Sequence, residues 1–294
     1  MKKEAHARRM LIVSMAMFGT LGPFVRNIPV SSGELALYRA ILAASLIAVY
    51  LFLTRQKLPL KSIGRELPLL LLSGVAMGVN WILLFEAYKY TTVSIATLSY
   101  YFAPVIVTFV CPFLFKERLT AKGLVCFVMS TLGLVLITGL GDMGRSGSDL
   151  TGILFGLGAA VFYATVVLLN KFIKNVEGIH RTFLQFISAI ATLIPYVAAT
   201  GGVTLGGMGG LGWICLLVVG LGHTGVGYCM YFSSLKELPG QKAAILSYID
   251  PLVAVLVSVL LLHESMSLWQ AVGGLLILGF TLLNEISLKK EDRT

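Results

Sequence analysis

The chain has 294 residues, is 57% apolar, carries only 13% charged residues and has a formal net charge of +9. A soluble globular domain holds about 25% charged residues and could not hide this much apolar surface. Composition therefore excludes an ordinary soluble domain and points to a bilayer as solvent. The basic excess does not read as nucleic-acid binding, because the cations fall in short segments between apolar runs. The expected partners are the lipid bilayer and a small-molecule substrate, with no nucleic acid.

Residues 1–9 are basic and lead into an apolar run, as a signal peptide does. The run continues to Pro23 without an A-x-A-like cleavage site, so it is read as a retained first helix. A membrane helix needs about 20 apolar residues. The pattern predicts spans at 10–26, 34–54, 67–88, 92–115, 121–140, 151–171, 182–200, 211–232, 240–262 and 268–287. The expected fold class is an all-α polytopic membrane protein with ten transmembrane helices. With the N-terminus inside, 19 of the 23 Lys and Arg fall in cytoplasmic segments, and only Arg26, Lys89 and Arg145 in outer loops. Cytoplasmic loops carry the excess of Lys and Arg, so both termini are expected in the cytoplasm.

The two halves superpose at a shift of 147 residues, which divides the chain into five-helix repeats at 1–147 and 148–294. Gly78 meets Gly225, Phe85 meets Phe232, Lys89 meets Lys236 and Ala96 meets Ala243. Tyr101 meets Tyr248, Pro104 meets Pro251, and Glu117 meets Glu264. Spans 1 and 6 align poorly. Five spans per half is an odd number, so the halves are expected to be inverted. Such repeats place a binding site near the midplane where they meet.

Ionisable groups within spans are costly and mark functional candidates. Asp250 lies about midway along span 9 and precedes Pro251. Proline lacks an N–H and frees a carbonyl in the preceding turn. Asp250 is read as a ligand for a cationic group or a coupling proton, against a protonated Asp bonded to a neighbouring helix. His223 in span 8 is a proton carrier, a substrate ligand or a satisfied packing residue. Asn80 lies at equivalent depth in span 3, and its neighbour Trp81 meets Tyr228 in the repeat alignment, as two aromatic walls of a cavity would. Tyr101 and Tyr248 need hydroxyl partners and are expected to face protein or cavity. Tyr163 and Gln185 are further candidates of this kind. Glu34, Arg39 and Glu86 fall in the outer halves of their spans and are grouped as an outer gate or ion-pair network, with Arg39 satisfied by a carboxylate. Pro104 and Pro251 are read as hinges. Glu117 and Glu264 sit at span ends, where helix-end structure accounts for them.

Other motifs lack their context. Gly220-Leu221-Gly222-His223-Thr224-Gly225 matches GxGxxG but lies inside an apolar helix, without the strand a dinucleotide site requires. Gly139-Leu140-Gly141-Asp142 resembles the GxGD of intramembrane aspartyl proteases, yet Asp250 lies at a different depth from Asp142. No GxxxxGK[ST] phosphate loop and no HExxH occur, and the four cysteines have no metal-ligand spacing. No cofactor and no metal are expected.

Two patterned stretches carry a family likeness. The first is Tyr101-Phe102-Ala103-Pro104, Phe115-Lys116-Glu117-Arg118-Leu119 and the Gly123 helix. The second is Tyr248-Ile249-Asp250-Pro251, Leu262-His263-Glu264-Ser265-Met266 and the Gly273-Gly274 helix. With Phe18-Gly19 and Arg39, the chain resembles the EamA-type branch of the drug/metabolite transporter superfamily over essentially its whole length. The resemblance implies ten helices, both termini inside, a central cavity lined by both halves, and a bacterial cytoplasmic membrane as the location. It implies export or exchange of small metabolites, amino acids or drugs, often coupled to protons. The expectation is a secondary transporter, not an enzyme. The competing readings are an intramembrane enzyme, for which no paired catalytic constellation is found, and an uncoupled channel.

Overall fold

The hydrocarbon core offers no water to backbone N–H and C=O groups, so apolar runs of this kind satisfy them internally as helices. The computed structural model describes residues 2–56, 58, 60–115, 121–138, 147–176, 178–235 and 246–291. Among the described residues there are helices and no strands. In chain order they are α1 (Lys2–Gly19), α2 (Leu21–Arg26), α3 (Ser32–Leu53), α4 (Leu60–Tyr90), α5 (Val93–Tyr100), α6 (Ala103–Phe115) and α7 (Ala121–Thr138). Then come α8 (Gly147–Phe172), α9 (Gly178–Thr200), α10 (Gly210–Leu217), α11 (Gly227–Leu235), α12 (Ile249–Leu260) and α13 (Leu268–Glu291). Five described segments are long and apolar enough to cross a membrane: Ser32–Leu53, Ile63–Tyr90, Asp149–Asn170, Gly178–Thr200 and Gly210–Tyr231. Shorter apolar helices, such as Ile249–Leu260 and Leu268–Phe280, accompany them.

Several expected spans are not single α-helices. Span 1 breaks at Thr20 into α1 and α2, where Pro23 has no N–H for the Gly19 carbonyl. Span 4 breaks between α5 and α6, where Pro104 has no N–H for the Tyr100 carbonyl. Tyr248 interrupts the helix just before α12, where Pro251 likewise has no N–H to donate to the preceding turn. Tyr101 (φ −70°, ψ 5°) and Tyr248 (φ −71°, ψ −7°) share one backbone conformation at these interruptions. Span 8 is continuous but widens to a π-helix over Val218–Val226. Residues 116–119, 139–142, 145, 236 and 243 of the expected motifs and pairings lie outside the described residues, as do the side chains of Pro104, Cys111, Gly123 and Phe232.

The helices pack α4 against α8 and α9, and α3 against α9 and the π segment. α1 lies on α11 and α12, α5 lies between α8 and α12, and α7 pairs with α13. The main apolar cluster joins these elements through buried Ile47, Phe85, Phe186 and Leu193. Gly19 makes a close approach possible at the end of α1. A Cβ there would lie 2.5 Å from the Asp250 carbonyl oxygen and 2.6 Å from the Val253 Cβ. The glycine thus lets the break in span 1 meet the start of α12 backbone to backbone.

Candidate functional site

The breaks bring polar side chains from distant parts of the chain together. The Tyr101 hydroxyl donates to Asp250 Oδ2 at 2.7 Å, linking residues 149 apart in sequence. Tyr100 stands edge-on to Tyr101, with centroids 5.8 Å apart, and lies 5.3 Å from the ring of Tyr163. Tyr228 packs on Phe18 at 5.2 Å and on Phe186 at 5.5 Å. Tyr100, Tyr101, Tyr228 and Asp250 are half-buried, and Tyr163 keeps 39% exposure. Tyr248 is buried at its interruption. Asp250 lies within electrostatic range of Arg39 and of the Tyr88, Tyr100, Tyr163 and Tyr228 hydroxyls.

Glu34, Arg39 and Glu86 have separate partners. Glu34 closes a capping box with Ser31 at the start of α3 and accepts from the Thr204 N–H at 2.6 Å and hydroxyl at 2.7 Å. This pins the loop before α10 to α3. Glu86 accepts from Ser32 at 2.5 Å and pairs with Lys89 at 3.1 Å. The carboxylate expected beside Arg39 is replaced by a hydroxyl and two rings. Arg39 Nε donates to Thr224 Oγ1 at 2.6 Å, and its Cζ sits 4.6 Å from the Trp81 centroid and 5.3 Å from that of Phe85. The physical reason is the π-helix, in which Thr224 donates to Val219 O at 2.8 Å, five residues back, and so aims its oxygen at α3.

His223 shares that wide turn. Its Nδ1 lies 3.2 Å from Val218 O and its Nε2 3.0 Å from Thr20 Oγ1, while its ring packs 5.1 Å from Phe24. It therefore ties the π segment to the break in span 1. Asn80 and Gln185 clamp helices together. Asn80 donates to Ala159 O of α8 at 2.6 Å. Gln185 donates to Ser73 Oγ at 2.7 Å and Asn170 Oδ1 at 2.8 Å. Both side chains are buried. Trp81 is buried edge-on to Phe186.

Sequence reasoning missed the role of Glu264, which it explained as a helix-end residue. Glu264 pairs with Arg26, accepts from the Val93 N–H at 2.9 Å and accepts from the Ser258 hydroxyl. Arg26 also donates to Thr91 O at 3.0 Å, and Thr91 donates to Asp149 at 2.8 Å. This seam joins α2, α5, α8 and α12. The available signals were that Arg26 is one of three outer-loop cations and that Glu264 has a repeat partner. Arg26, Ser32, Tyr88 and Lys89 line a cavity of about 450 Å3 beside the seam. Among the described residues no three His, Cys, Asp or Glu side chains group to hold a metal.

Several long apolar helices, with a carboxylate and tyrosines at breaks between them, define a polytopic membrane protein. A family model described as the EamA-like transporter family matches residues 9–139 and 150–285, and the chain belongs to that family. An uncharacterized transporter, YxxF, of Bacillus subtilis is 29% identical over 94% of this chain and 88% of its own. An uncharacterized transporter of Archaeoglobus fulgidus is 29% identical over 93% and 94%. A solved crystal structure of a protein 17% identical to this one covers 96% of each chain with a TM-score of 0.66, a likeness of fold alone. The protein is a multi-pass membrane transporter and not an enzyme.

Proposed function

We propose that this transporter is a secondary exporter or exchanger of small organic metabolites, such as amino acids, organic cations or drug-like solutes. It works by alternating access, with Asp250 as the proton-coupling group, in the cytoplasmic membrane with both termini inside. In this reading it has ten spans in two inverted repeats, 1–147 and 148–294. The matched backbone of Tyr101 and Tyr248 at two interruptions supports that division, as does the two-part family match. Pro104 and Pro251 act as hinges at the same places. Tyr100, Tyr101, Tyr163 and Tyr228 line the site beside Asp250.

The Tyr101–Asp250 bond is the observation that carries the reading. It joins a carboxylate to a hydroxyl across two discontinuous helices, and such helices form the midplane sites of transporters. Substrate or a proton arriving at Asp250 competes with Tyr101 for the same oxygen, which couples occupancy to the packing of α5 on α12. The test is proton flux in proteoliposomes across amino acids, organic cations and nucleobases. Substrate-dependent proton movement that Asp250→Asn abolishes is expected. Normal transport by Asp250→Asn with unchanged pH dependence refutes the coupling role. Saturable counterflow without proton movement leaves an exchanger, and non-saturating flux identifies a channel.

A further inference from the structure

Arg39 is 4% exposed in the middle of the helix packing, and among the described residues its only hydrogen bond is the one from Nε to Thr224. The described ion pairs within 4.0 Å are Arg26–Glu264 and Glu86–Lys89, so no described carboxylate reaches Arg39. Among the described residues, Nη1 and Nη2 thus have no hydrogen-bond partner. A buried charge left in this state is costly, and donors to charged partners rank among the strongest hydrogen bonds available. The rings of Trp81 and Phe85 lie close to the guanidinium carbon, and rings so placed attract the cation through their faces. Thr224 occupies the Nε edge. The Nη1–Nη2 end is left as a planar fork, which matches the two oxygens of a carboxylate.

We infer that Arg39 is the substrate's anion site and that the transported solutes carry a carboxylate, held end-on by Nη1 and Nη2. The inference rests on the transporter reading above and names its substrate class. It replaces the assignment of Arg39 to an outer ion-pair network. Trp81 and Phe85 position the guanidinium and flank the apolar part of the solute next to its carboxylate. Thr224 sets the rotation of the guanidinium through Nε, and the π turn sets Thr224. The other titratable groups in electrostatic reach are Asp250, His223 and the Tyr88, Tyr100 and Tyr228 hydroxyls. The single acid among them, Asp250, lies beyond ion-pair distance, so it leaves the Nη1–Nη2 end unpaired.

The probe is cyclohexanecarboxylate, with cyclohexanecarboxamide as its uncharged match. The reporter is Trp81 fluorescence in full-length protein carrying Trp213→Phe and Trp269→Phe, both substituted rings being exposed. The carboxylate is expected to give a saturable change and the carboxamide none. Arg39→Gln is expected to weaken carboxylate binding by roughly ten- to hundred-fold, the range for a charged hydrogen-bond pair. Arg39→Lys keeps the charge without the fork. It is expected to weaken binding by an intermediate factor, and it serves if the glutamine variant does not fold. Equal responses to acid and amide, no saturable response to the acid in otherwise unaltered protein, or undiminished binding by both Arg39 variants each overturn the inference. Proton flux in the same proteoliposomes is a separate readout. Carboxylate binding that persists in Asp250→Asn while wild-type flux shows no proton movement overturns the coupling reading and leaves the anion site standing.

Discussion

Glu264→Gln tests whether the seam between α2, α5 and α12 holds the outer side closed. The carboxylate is nearly buried, with side-chain exposures of 34% for Arg26 and 9% for Glu264. It accepts from the Val93 N–H and the Ser258 hydroxyl besides pairing with Arg26. Glutamine keeps one carbonyl oxygen for these donors and presents an NH2 to the rest. The ion pair is lost, worth about 1 kcal/mol for a partly exposed partner. One charged acceptor becomes neutral, worth about another 1 kcal/mol. The sum of about 2 kcal/mol raises the outward-open population relative to the closed one about thirty-fold. The assay is labelling of Thr97→Cys by a membrane-impermeant thiol reagent from outside, with the four native cysteines replaced. Thr97 is 4% exposed one turn into α5 below the seam. Labelling is expected to speed up by that factor. Arg26→Gln should do the same, and the double variant should add little, because the two share one interaction. An unchanged labelling rate in folded protein refutes the gate.

Gly19→Ala places a Cβ 2.5 Å from the Asp250 carbonyl oxygen, so α1 must back away from α12. Overpacking against backbone of this kind costs about 1–3 kcal/mol, expected as a lower melting temperature in detergent that Val253→Ala partly restores. No loss of melting temperature would show that the approach is looser than described. Gln185→Leu removes the clamp between Ser73 and Asn170, so half-buried Asn170 loses its donor while Ser73 keeps only its bond to Leu70 O. Its expected cost is about 1–3 kcal/mol, read by thermal unfolding. Its carboxylate binding should match wild type, since Gln185 holds helices and not solute, and a selective loss of binding would place Gln185 in the site instead.

Much of the architecture is legible in local sequence. The stretches that became α3, α4, α8 and α9 each contain a long apolar run with few charges, and such runs form helices wherever water is absent. The prolines at 23, 104 and 251 are visible too, each within one predicted continuous span, whereas spans 1 and 4 break outright in the turn before the proline. Asp250 and Tyr101 were singled out by cost, because a polar group in a bilayer demands a partner. Which partner was beyond reach, since a carboxylate in a span looks the same whether it meets a lysine, a backbone amide or a tyrosine. Asn80 and Gln185 were singled out by the same rule, and their bonds run to neighbouring helices.

By itself, then, the sequence determined the solvent, the helical class and the polar groups that the bilayer makes costly, because hydropathy is a property of contiguous residues. The family likeness rested likewise on short contiguous motifs. Only the tertiary structure decided the pairings: Tyr101 with Asp250, Arg39 with Thr224, Glu264 with Arg26 and Val93. These contacts depend on how helices rotate and cross, and on a π turn that advances Thr224 to face α3. Rotation and crossing follow from side-chain packing between segments more than 100 residues apart, and no local pattern encodes them.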